Sequence, residues 1–547
     1  MSEAHVVTPT NTAKPVAAKP VAPKPVAANS GPLPFGTFDQ LAFFAILAFA
    51  LYLRLPYMTQ PLVDVFSWRE ASTAMIAENY WQHGWNIFLP EVNWSGPGPS
   101  YQGREFGLYG YLVAILNAVF GWHDWFGRLV AIGFGLLTVF ALHRLVALIW
   151  DERHAHAAAL AYAVMPGAIA IESSVLPDPA MLGLITLGIW LYARAWAAGS
   201  KAYPVWAALA FTLGALSKLP GLGVGLAILW LMVLSLLRGD RTTFLRTLIA
   251  VAIGLAAIIG YYAWAIHLGR STPPYHVAGS GYVWDHGLSA FIAEAFYAQS
   301  LWDISIWWFY GYAFLALIAL GLWLPPRFAK EEPRAPGLTR LPYVWLLAAI
   351  IVYLCAAKEI STNPWNLHLF HVPLAIFAGR ALILLAELGG VSFPSLAGVA
   401  RFIVMGAILA ALSQFQILPR LKTPQGEEAR LMGQAIDRLA GPDDLVVTIS
   451  PEVGDPIAVY YSRRNGWTLP PGGGASDWST FAEDDATPIA QLNDMKSQGA
   501  RWFGVTRNAE DRLDRPFLEH HAGVIAYLDQ TAERVLETPE FILFRLQ

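Results

Sequence analysis

Charged residues are scarce in this sequence, and cysteine is almost absent. Only 14% of the 547 residues are Asp, Glu, Lys or Arg, whereas 55% are hydrophobic. About 25% of residues are charged in a typical soluble domain, so the composition excludes an ordinary soluble enzyme. The single cysteine, Cys355, lies within an apolar run, and one cysteine excludes an intrachain disulfide bond.

Three further signals are missing. No basic cluster with interleaved aromatic residues is present, which argues against nucleic acid as a partner. No glycine-rich fingerprint stands between a strand and a helix, which argues against a nucleotide site. Residues 1–34 repeat a Lys-Pro-Val-Ala theme without an apolar core. We therefore expect a disordered cytoplasmic tail there rather than a signal peptide.

Long apolar runs dominate residues 35–420. Many of them reach about 20 residues, which is long enough for a helix to cross a bilayer. They predict an all-α polytopic membrane domain of about eleven transmembrane helices, near residues 40–56, 128–149, 156–174, 179–198, 203–217, 220–237, 244–266, 306–325, 341–357, 365–387 and 397–418. The apolar run at residues 108–120 is shorter, which favours an interfacial or re-entrant helix.

Lysine and arginine are concentrated in alternate connections between these runs. The positive-inside rule then places the N-terminus in the cytoplasm and the loop of residues 57–111 on the opposite side. An odd number of spans puts residues 421–547 on that outer side too. Their higher charge and alternating helix-like and strand-like segments predict a small C-terminal extracytoplasmic α/β domain.

The first outer loop, residues 57–111, is rich in both charge and tryptophan. Its charged residues include Asp64, Arg69, Glu70, Arg104 and Glu105. Each charge costs roughly 2.5–3.5 kcal/mol at bilayer depth on insertion scales, so this loop must lie at or outside the interface. It is either a long interfacial linker or a catalytic loop across the mouth of a membrane cavity.

Ionisable residues also lie at the outward ends of several spans, on the predicted side of this loop. They are Asp178, Lys218, His368 and His371. Such residues usually face a water-filled cavity or pair with each other. Asp178 would alternatively cap a helix, and Lys218 would alternatively extend to lipid headgroups. The two histidines lack a third ligand at metal spacing, which favours hydrogen bonds to a phosphate or sugar.

An acidic outer cavity with cationic companions, at the lipid boundary, suits a substrate with a lipid tail and an anionic link. Polyprenyl-phosphate sugars have this form. Transfer of the sugar to a hydroxyl group requires a general base for the acceptor proton. It also requires cations or hydrogen-bond donors for the departing phosphate.

Several strings in residues 38–420 resemble the GT-C superfamily of membrane glycosyltransferases. They are SWREASTAMIAEN, GREFGLYGYL with GWHDWFGRL, LPDPAML, LGALSKLPG and NLHLFHVPLAIFAG. Within that superfamily the chain is similar to glycosyltransferase family 39, the protein-mannosyltransferase-like group that includes the lipid A aminoarabinose transferase. The resemblance implies a GT-C fold, catalysis by the first outer loop, and a donor cavity that opens to lipid.

The resemblance also implies roles for individual residues. The family's acidic pair aligns with Arg69-Glu70, so its first acid is missing, and Asp64 is close enough to replace it. Glu105 matches the glutamate of a Glu-Lys-Pro-Pro motif, whose phosphate-binding lysine is Phe106 here. Asp178 matches the acid of a Pro-Asp motif in the second outer loop.

The expected catalytic residues are thus Glu70 or Asp64 as the base, with Asp178 assisting. The expected substrate-binding residues are Arg69, Arg104, Glu105, Lys218, His368 and His371. Because the motif lysine is absent, Arg69, Arg104 or Lys218 must supply the cation for the phosphate.

The predicted function is an inverting glycosyltransferase of the bacterial inner membrane, with the C-terminal domain in the periplasm. Its donor is a polyprenyl-phosphate-linked sugar, and its acceptor is an extracytoplasmic hydroxyl group of a lipid, glycan or protein. No cofactor is required, although a divalent metal is not excluded. The alternatives are a transporter or lipid flippase with a polar outer cavity, and a non-catalytic scaffold.

Overall fold

The computed structural model describes residues 37–198, 203–277, 301–324, 335–393, 395–451, 454–469, 483–510 and 515–547. The predicted N-terminal tail lies outside these residues, as does the sequence PPGGGA of residues 470–475.

Helices make up most of the first 422 residues. In chain order, their bounds are α1 Thr37–Arg54, α2 Ser67–Gln82, α3 Leu108–Phe120, α4 Phe126–Ile149, α5 Glu152–Ala163, α6 Pro166–Glu172, α7 Asp178–Ala198, α8 Tyr203–Ser217, α9 Gly225–Leu237, α10 Arg241–Ser271, α11 Gly311–Trp323, α12 Leu341–Cys355, α13 Ala357–Thr362, α14 His371–Ala386, α15 Leu396–Leu412 and α16 Leu418–Lys422.

Seven helices in the described residues are long and apolar enough to cross a membrane, or nine if each of two bent pairs is one span. The all-α polytopic class is therefore confirmed, but this number is smaller than the predicted eleven. Two of the predicted spans, α8 and α12, have only 15 residues each. At 1.5 Å per residue such a helix is about 22 Å long, shorter than the hydrocarbon core of about 30 Å.

The two bent pairs break where the backbone cannot continue a straight helix. α5 and α6 meet at 62°, with Pro166 at the first position of α6. Proline lacks an N–H donor, so it is tolerated at the first turn of a helix but not inside one. The helical turns of Leu301–Phe309 meet α11 at 108°, and Gly311 has a φ of +70° at the break.

Glycines on α7 let it pack closely against two neighbours. A Cβ atom at Gly183 would lie 2.8 Å from the carbonyl oxygen of Phe134 on α4. A Cβ atom at Gly188 would lie 3.0 Å from the carbonyl oxygen of Ala207 on α8. Small residues allow such close approach in membrane helices. As a result, α7 lies at the centre of the bundle, and its first residue, Asp178, is fully buried.

The C-terminal part contains helices and one sheet, within the segment predicted to be an α/β domain. Its helices are α17 Glu427–Leu439, α18 Ile457–Ser462, α19 Ala486–Ser497, α20 Phe517–His520 and α21 Ala522–Thr531. A two-stranded ribbon in the first loop contains β1 Glu91–Val92 and β2 Ser100–Tyr101. The C-terminal strands are β3 Leu445–Ile449, β4 Gly466–Thr468, β5 Ala500–Thr506, β6 Ala532–Glu537 and β7 Phe541–Leu546.

These five strands form a mixed sheet in the order β4-β3-β5-β7-β6. β3 is parallel to both β4 and β5, while β7 is antiparallel to β5 and β6. The first loop extends the β4 edge, because Gly96 N donates to Gly466 O and Gly466 N donates to Asn93 O. The sheet is therefore joined directly to the predicted catalytic loop.

Candidate functional site

Three clusters of buried charged and polar side chains meet at one short segment between α6 and α7. This linking segment comprises residues 172–178, with the sequence ESSVLPD. Its first residue, Glu172, belongs to a histidine cluster. Its middle residues contact a loop tetrad of four charged side chains, and its last residue, Asp178, belongs to a cavity cluster.

The cavity cluster contains Asp178, Lys218, Arg69, Glu105 and Arg104. Lys218 Nζ lies 2.7 Å from Asp178 Oδ1, and both residues are at least nine-tenths buried. Arg69 forms an ion pair with Glu105. The charges of that second pair interact with both members of the first pair.

Backbone contacts bring the first loop to this cluster. Phe106 N donates to Leu216 O at the end of α8, two residues before Lys218. Arg69 is on α2, so the loop contributes to the cluster from two directions. The predicted convergence of the loop with Asp178 and Lys218 is therefore present in the structure.

A cavity of about 30 Å³ opens beside these pairs, with room for about two water molecules. Its walls include Thr73, Pro90, Arg104, Glu105, Tyr109 and Pro177. Arg104 donates from Nη1 to Ser72 Oγ at 2.6 Å, and its Nε atom has no hydrogen-bond partner in the described residues. Among those residues Asp178 Oδ2 also has no partner. The cavity cluster thus contains three cationic side chains, Arg69, Arg104 and Lys218, and two carboxylates, Glu105 and Asp178. One carboxylate oxygen, Asp178 Oδ2, accepts no hydrogen bond from the described residues.

The loop tetrad comprises Asp64, Glu70, Arg128 and Lys422, all buried. Arg128 Nη2 lies 3.1 Å from both oxygens of Glu70 and 3.7 Å from Asp64 Oδ2. Lys422 Nζ lies 2.9 Å from Asp64 Oδ2. Two positive and two negative charges therefore balance where no water reaches them, as buried charges require.

The tetrad is also hydrogen-bonded to the linking segment. Val175 N donates to Glu70 Oε1 at 2.7 Å. Lys422 Nζ donates to Ser174 Oγ at 2.7 Å and to Ser173 O at 3.2 Å. Burial raises the pKa of the Glu70 carboxyl group, and the neighbouring Arg128 charge opposes that shift.

The histidine cluster surrounds Glu172. Arg54 donates from Nε to Glu172 Oε2 at 2.7 Å, and Tyr162 donates to Glu172 Oε1 at 2.5 Å. His368 Nε2 lies 3.8 Å from the same Oε1, and the Nδ1 atoms of His368 and His371 are 2.8 Å apart. The bundle has room for Glu172 only because residue 135 is glycine; a Cβ there would be 2.4 Å from Oε2.

The nine predicted site residues therefore fall into separate clusters. Asp178, Lys218, Arg69, Glu105 and Arg104 belong to the cavity cluster, and Glu105 and Arg104 line the cavity itself. Asp64 and Glu70 belong to the tetrad, and His368 and His371 adjoin Glu172. Their proposed roles remain predictions. No group of three or more His, Cys, Asp or Glu side chains in the described part of the chain is arranged to hold a metal ion.

The sequence analysis did not identify Arg54, Arg128, Tyr162 or Lys422 as site residues. Each lies at an end of an apolar run, or within one, so their position was a usable signal. Their partners are 10 to 358 residues away in sequence, as in Tyr162–Glu172 and Lys422–Asp64. Hydropathy alone does not reveal such pairings.

Comparison with solved structures defines the class of the fold. The chain is similar to ArnT from Cupriavidus metallidurans bound to undecaprenyl phosphate, with 14% identity, a TM-score of 0.54, and coverage of 93% of this chain and 98% of that chain. It is also similar to the archaeal oligosaccharyltransferase AglB from Archaeoglobus fulgidus in complex with an inhibitory peptide and a dolichol-phosphate. That match has 15% identity, a TM-score of 0.55, and coverage of 86% and 70%. The fold is thus that of the GT-C membrane glycosyltransferases, as the sequence resemblance implied.

A family profile makes the resemblance more specific. Residues 108–264 match the family described as dolichyl-phosphate-mannose-protein mannosyltransferase. A third solved structure, the arabinofuranosyltransferase AftD from Mycobacteria, matches with 13% identity and a TM-score of 0.52, over 93% of this chain and 40% of that chain. No curated protein sequence is a significant match. Together with its apolar helices, the fold makes this chain a multi-pass membrane protein.

Proposed function

We propose that this protein is an inverting glycosyltransferase that moves a monosaccharide from polyprenyl phosphate to a hydroxyl acceptor. The observation that carries the proposal is the excess of cations over carboxylates in the cavity cluster, in which the buried Oδ2 atom of Asp178 has no hydrogen-bond partner among the described residues. A lipid phosphate balances that excess. Two similar structures contain undecaprenyl phosphate and dolichol-phosphate, which supports the same donor class here.

Asp178 is the base in this proposal. Both oxygens of Glu70 already accept hydrogen bonds, and both oxygens of Asp64 do too, from Phe66 N and Lys422 Nζ. Among the described residues, Asp178 accepts a hydrogen bond only at Oδ1, and its buried Oδ2 atom is the one that we assign to the acceptor hydroxyl group. This reassigns Glu70 and Asp64 from proton transfer to the support of the site.

The proposed reaction is a single displacement. The acceptor oxygen bonds to the anomeric carbon on the face opposite the phosphate, and the bond from that carbon to the phosphate oxygen breaks. The acceptor proton moves to Asp178 Oδ2. Phosphate is a good leaving group, so no acid is needed to protonate it, and nearby cations stabilise its charge.

Arg104 is the cation best placed for the phosphate. Lys218 is paired with Asp178 and Arg69 with Glu105, whereas Arg104 contacts Ser72 and has no carboxylate partner among the described residues. It thus takes the role of the family's motif lysine, two positions before Phe106. We place this site and the C-terminal sheet on the periplasmic side of the bacterial inner membrane, as the distribution of lysine and arginine indicates.

Arg104→Gln should weaken donor binding. A hydrogen bond to a charged group contributes about 1.5–3 kcal/mol, so we expect the KM for the lipid-linked sugar to rise about 10- to 100-fold. Arg401→Gln is the matched control, because Arg401 is exposed and, among the described residues, donates hydrogen bonds only to the carbonyl oxygens of residues 386 and 388. Equal KM values for the two variants would remove Arg104 from the phosphate site.

The reaction should not depend on a divalent metal. Three cationic side chains already belong to the cavity cluster, which is sufficient to balance the charge of a phosphodiester next to its two carboxylates. Treatment of the purified protein with EDTA should leave the rate of transfer within about twofold of the untreated rate. Loss of activity that returns with added Mg²⁺, Mn²⁺ or Zn²⁺ would contradict this part of the proposal.

The direct test of the function is a reconstituted assay. The purified protein in liposomes is given a panel of polyprenyl-phosphate sugars with envelope lipids, glycans and protein extract as acceptors. We expect one donor to release free polyprenyl phosphate together with a glycosylated product of inverted configuration. The absence of release from every donor would contradict the proposal.

A further inference from the structure

Lys422 lies far from the first loop in sequence, at the end of the last helix before the C-terminal segment. Its side chain is nevertheless buried between the first loop and the linking segment. Its Nζ atom lies 2.9 Å from Asp64 Oδ2 in the first loop. It also lies 2.7 Å from Ser174 Oγ and 3.2 Å from Ser173 O in the linking segment. Its three hydrogen-bond donors are therefore all used.

The backbone around Lys422 is fixed to the same loop. Gln60 Nε2 donates to Lys422 O at 2.6 Å, and the N–H groups of Gln425 and Gly426 both donate to Val63 O. On the C-terminal side, Tyr461 accepts a hydrogen bond from Leu62 N at 2.8 Å. Lys422 is thus held at both its backbone and its ammonium group, which makes it a rigid connection.

The linking segment needs such a connection. Residues 173–177 lie between α6 and α7, so helical hydrogen bonds do not fix all of their backbone groups. The path of these residues nevertheless determines the position of Asp178, the first residue of α7. Among the described residues, two side chains from outside form hydrogen bonds with residues 173–177: Glu70 at Val175 N, and Lys422 at Ser173 O and Ser174 Oγ. Asp178 is four residues beyond Ser174, so a shift of the segment displaces its carboxylate.

We propose that Lys422 is a positioning residue of the glycosyl-transfer site, which sets the location of Asp178 by clamping the linking segment to Asp64. The inference rests on the proposed function, since it assigns Lys422 to the reaction of that same site. In this proposal, the junction between α16, which ends at Lys422, and the C-terminal segment affects the rate of the reaction. It also explains why Asp64, which has no unused oxygen, is buried beside the site.

The test compares Lys422→Met with Ser174→Ala in the reconstituted transfer assay. Methionine fills much of the lysine volume but releases the linking segment and Asp64. Ser174→Ala removes the contact with Lys422 at 2.7 Å and the hydrogen bond that Ser174 Oγ donates to Ala170 O at 2.8 Å, and it leaves the pair of Lys422 with Asp64 intact. A misplacement of about 1 Å is able to reduce turnover about 100-fold, so we expect a large fall in kcat for Lys422→Met and a smaller fall for Ser174→Ala. The KM for the donor should remain within about twofold, because Arg104 is untouched.

Combination with Asp178→Asn separates positioning from general instability. If Lys422 acts through Asp178, adding Lys422→Met to Asp178→Asn lowers the residual rate by less than about twofold. A purely structural role would instead lower the rate by the same factor in both backgrounds, and that result would overturn the inference. Normal kcat in both Lys422→Met and Ser174→Ala would also overturn it. Lys496→Met in the helix α19 is the control for loss of a lysine outside the site.

The outcomes also separate this inference from the proposed function. If the unaltered protein releases no polyprenyl phosphate from any donor, the proposed function fails and the positioning role fails with it. If the unaltered protein is active and Asp178→Asn is inactive, while Lys422→Met has normal kcat, only the positioning role fails. Thermal unfolding of each variant shows whether it is folded when assayed.

Discussion

Asp178→Asn is expected to reduce the rate of sugar transfer about 10²- to 10⁴-fold, which is the usual contribution of a general base. The amide cannot accept the proton of the acceptor hydroxyl group, whereas its shape is nearly that of the carboxylate. The measurement is kcat in the reconstituted assay with the purified variant. The KM for the donor should change little, because Arg104 and the Arg69–Glu105 pair remain.

Two further variants serve as controls for Asp178→Asn. Asp240→Asn changes another aspartate, which caps α10 by accepting from Thr243 N and lies outside the three clusters. Asparagine is also a good N-cap, so this variant should be fully active. The double variant Asp178→Asn/Lys218→Met removes the unpaired lysine, and it should recover stability without recovering turnover. Full activity of Asp178→Asn would exclude it as the base.

Glu70→Gln is expected to destabilise the protein by about 3–5 kcal/mol, the effect of removing one partner from a buried ion pair. Arg128 would keep its hydrogen bonds to the carbonyl oxygens of Gln60 and Pro61, but among the described carboxylates its only ion-pair partner would be Asp64, which is 3.7 Å away and already paired with Lys422. The free energy of unfolding is measured by titration with a denaturing detergent. Transfer should fall as well, because the Val175 contact of the linking segment is altered.

A surface ion pair provides the comparison for Glu70. Asp529 and Arg534 are paired at 2.7 Å with both side chains about one-third exposed or more. Such pairs contribute about 0–1 kcal/mol, so Asp529→Asn should hardly change stability. The double variant Glu70→Gln/Arg128→Met should recover most of the loss, since apolar replacement of a buried pair is often neutral. A change for Glu70→Gln no larger than for Asp529→Asn would contradict the structural role.

The sequence was sufficient to predict the convergence of the first loop with Asp178 and Lys218. Charged side chains at bilayer depth must contact either water or an oppositely charged side chain, and this requirement favours their convergence. Residues on one side of the membrane had few other partners available. The pairing of Lys218 with Asp178 at 2.7 Å follows that logic.

The tetrad could not be predicted in the same way. Asp64 and Glu70 are carboxylates in a polar loop, and their position alone does not distinguish a base from an ion-pair partner. Their burial depends on the positive charges of Arg128, which lies in α4, and of Lys422, which lies at the end of α16. Those contacts depend on how the helices pack, and hydropathy carries no information on packing.

The number of spans shows a similar limit. Hydropathy predicted residues 203–217 and 341–357 as crossings, but α8 and α12 are each 15 residues long. Composition identified the apolar helices correctly, and the error was to count two short helices as full crossings. The break between α5 and α6 was signalled by Met165-Pro166-Gly167, since proline inside a run ends or bends a helix.

Analysis of lipid-linked sugars in living cells tests the central claim most directly. Cells that lack this protein are complemented with either the unaltered chain or Asp178→Asn, and their polyprenyl-phosphate lipids are measured by mass spectrometry. We expect the level of one polyprenyl-phosphate sugar to rise in cells that lack the protein, to fall in cells complemented with the unaltered chain, and to remain high in cells complemented with Asp178→Asn. Equal lipid profiles with the two complementing chains would contradict it.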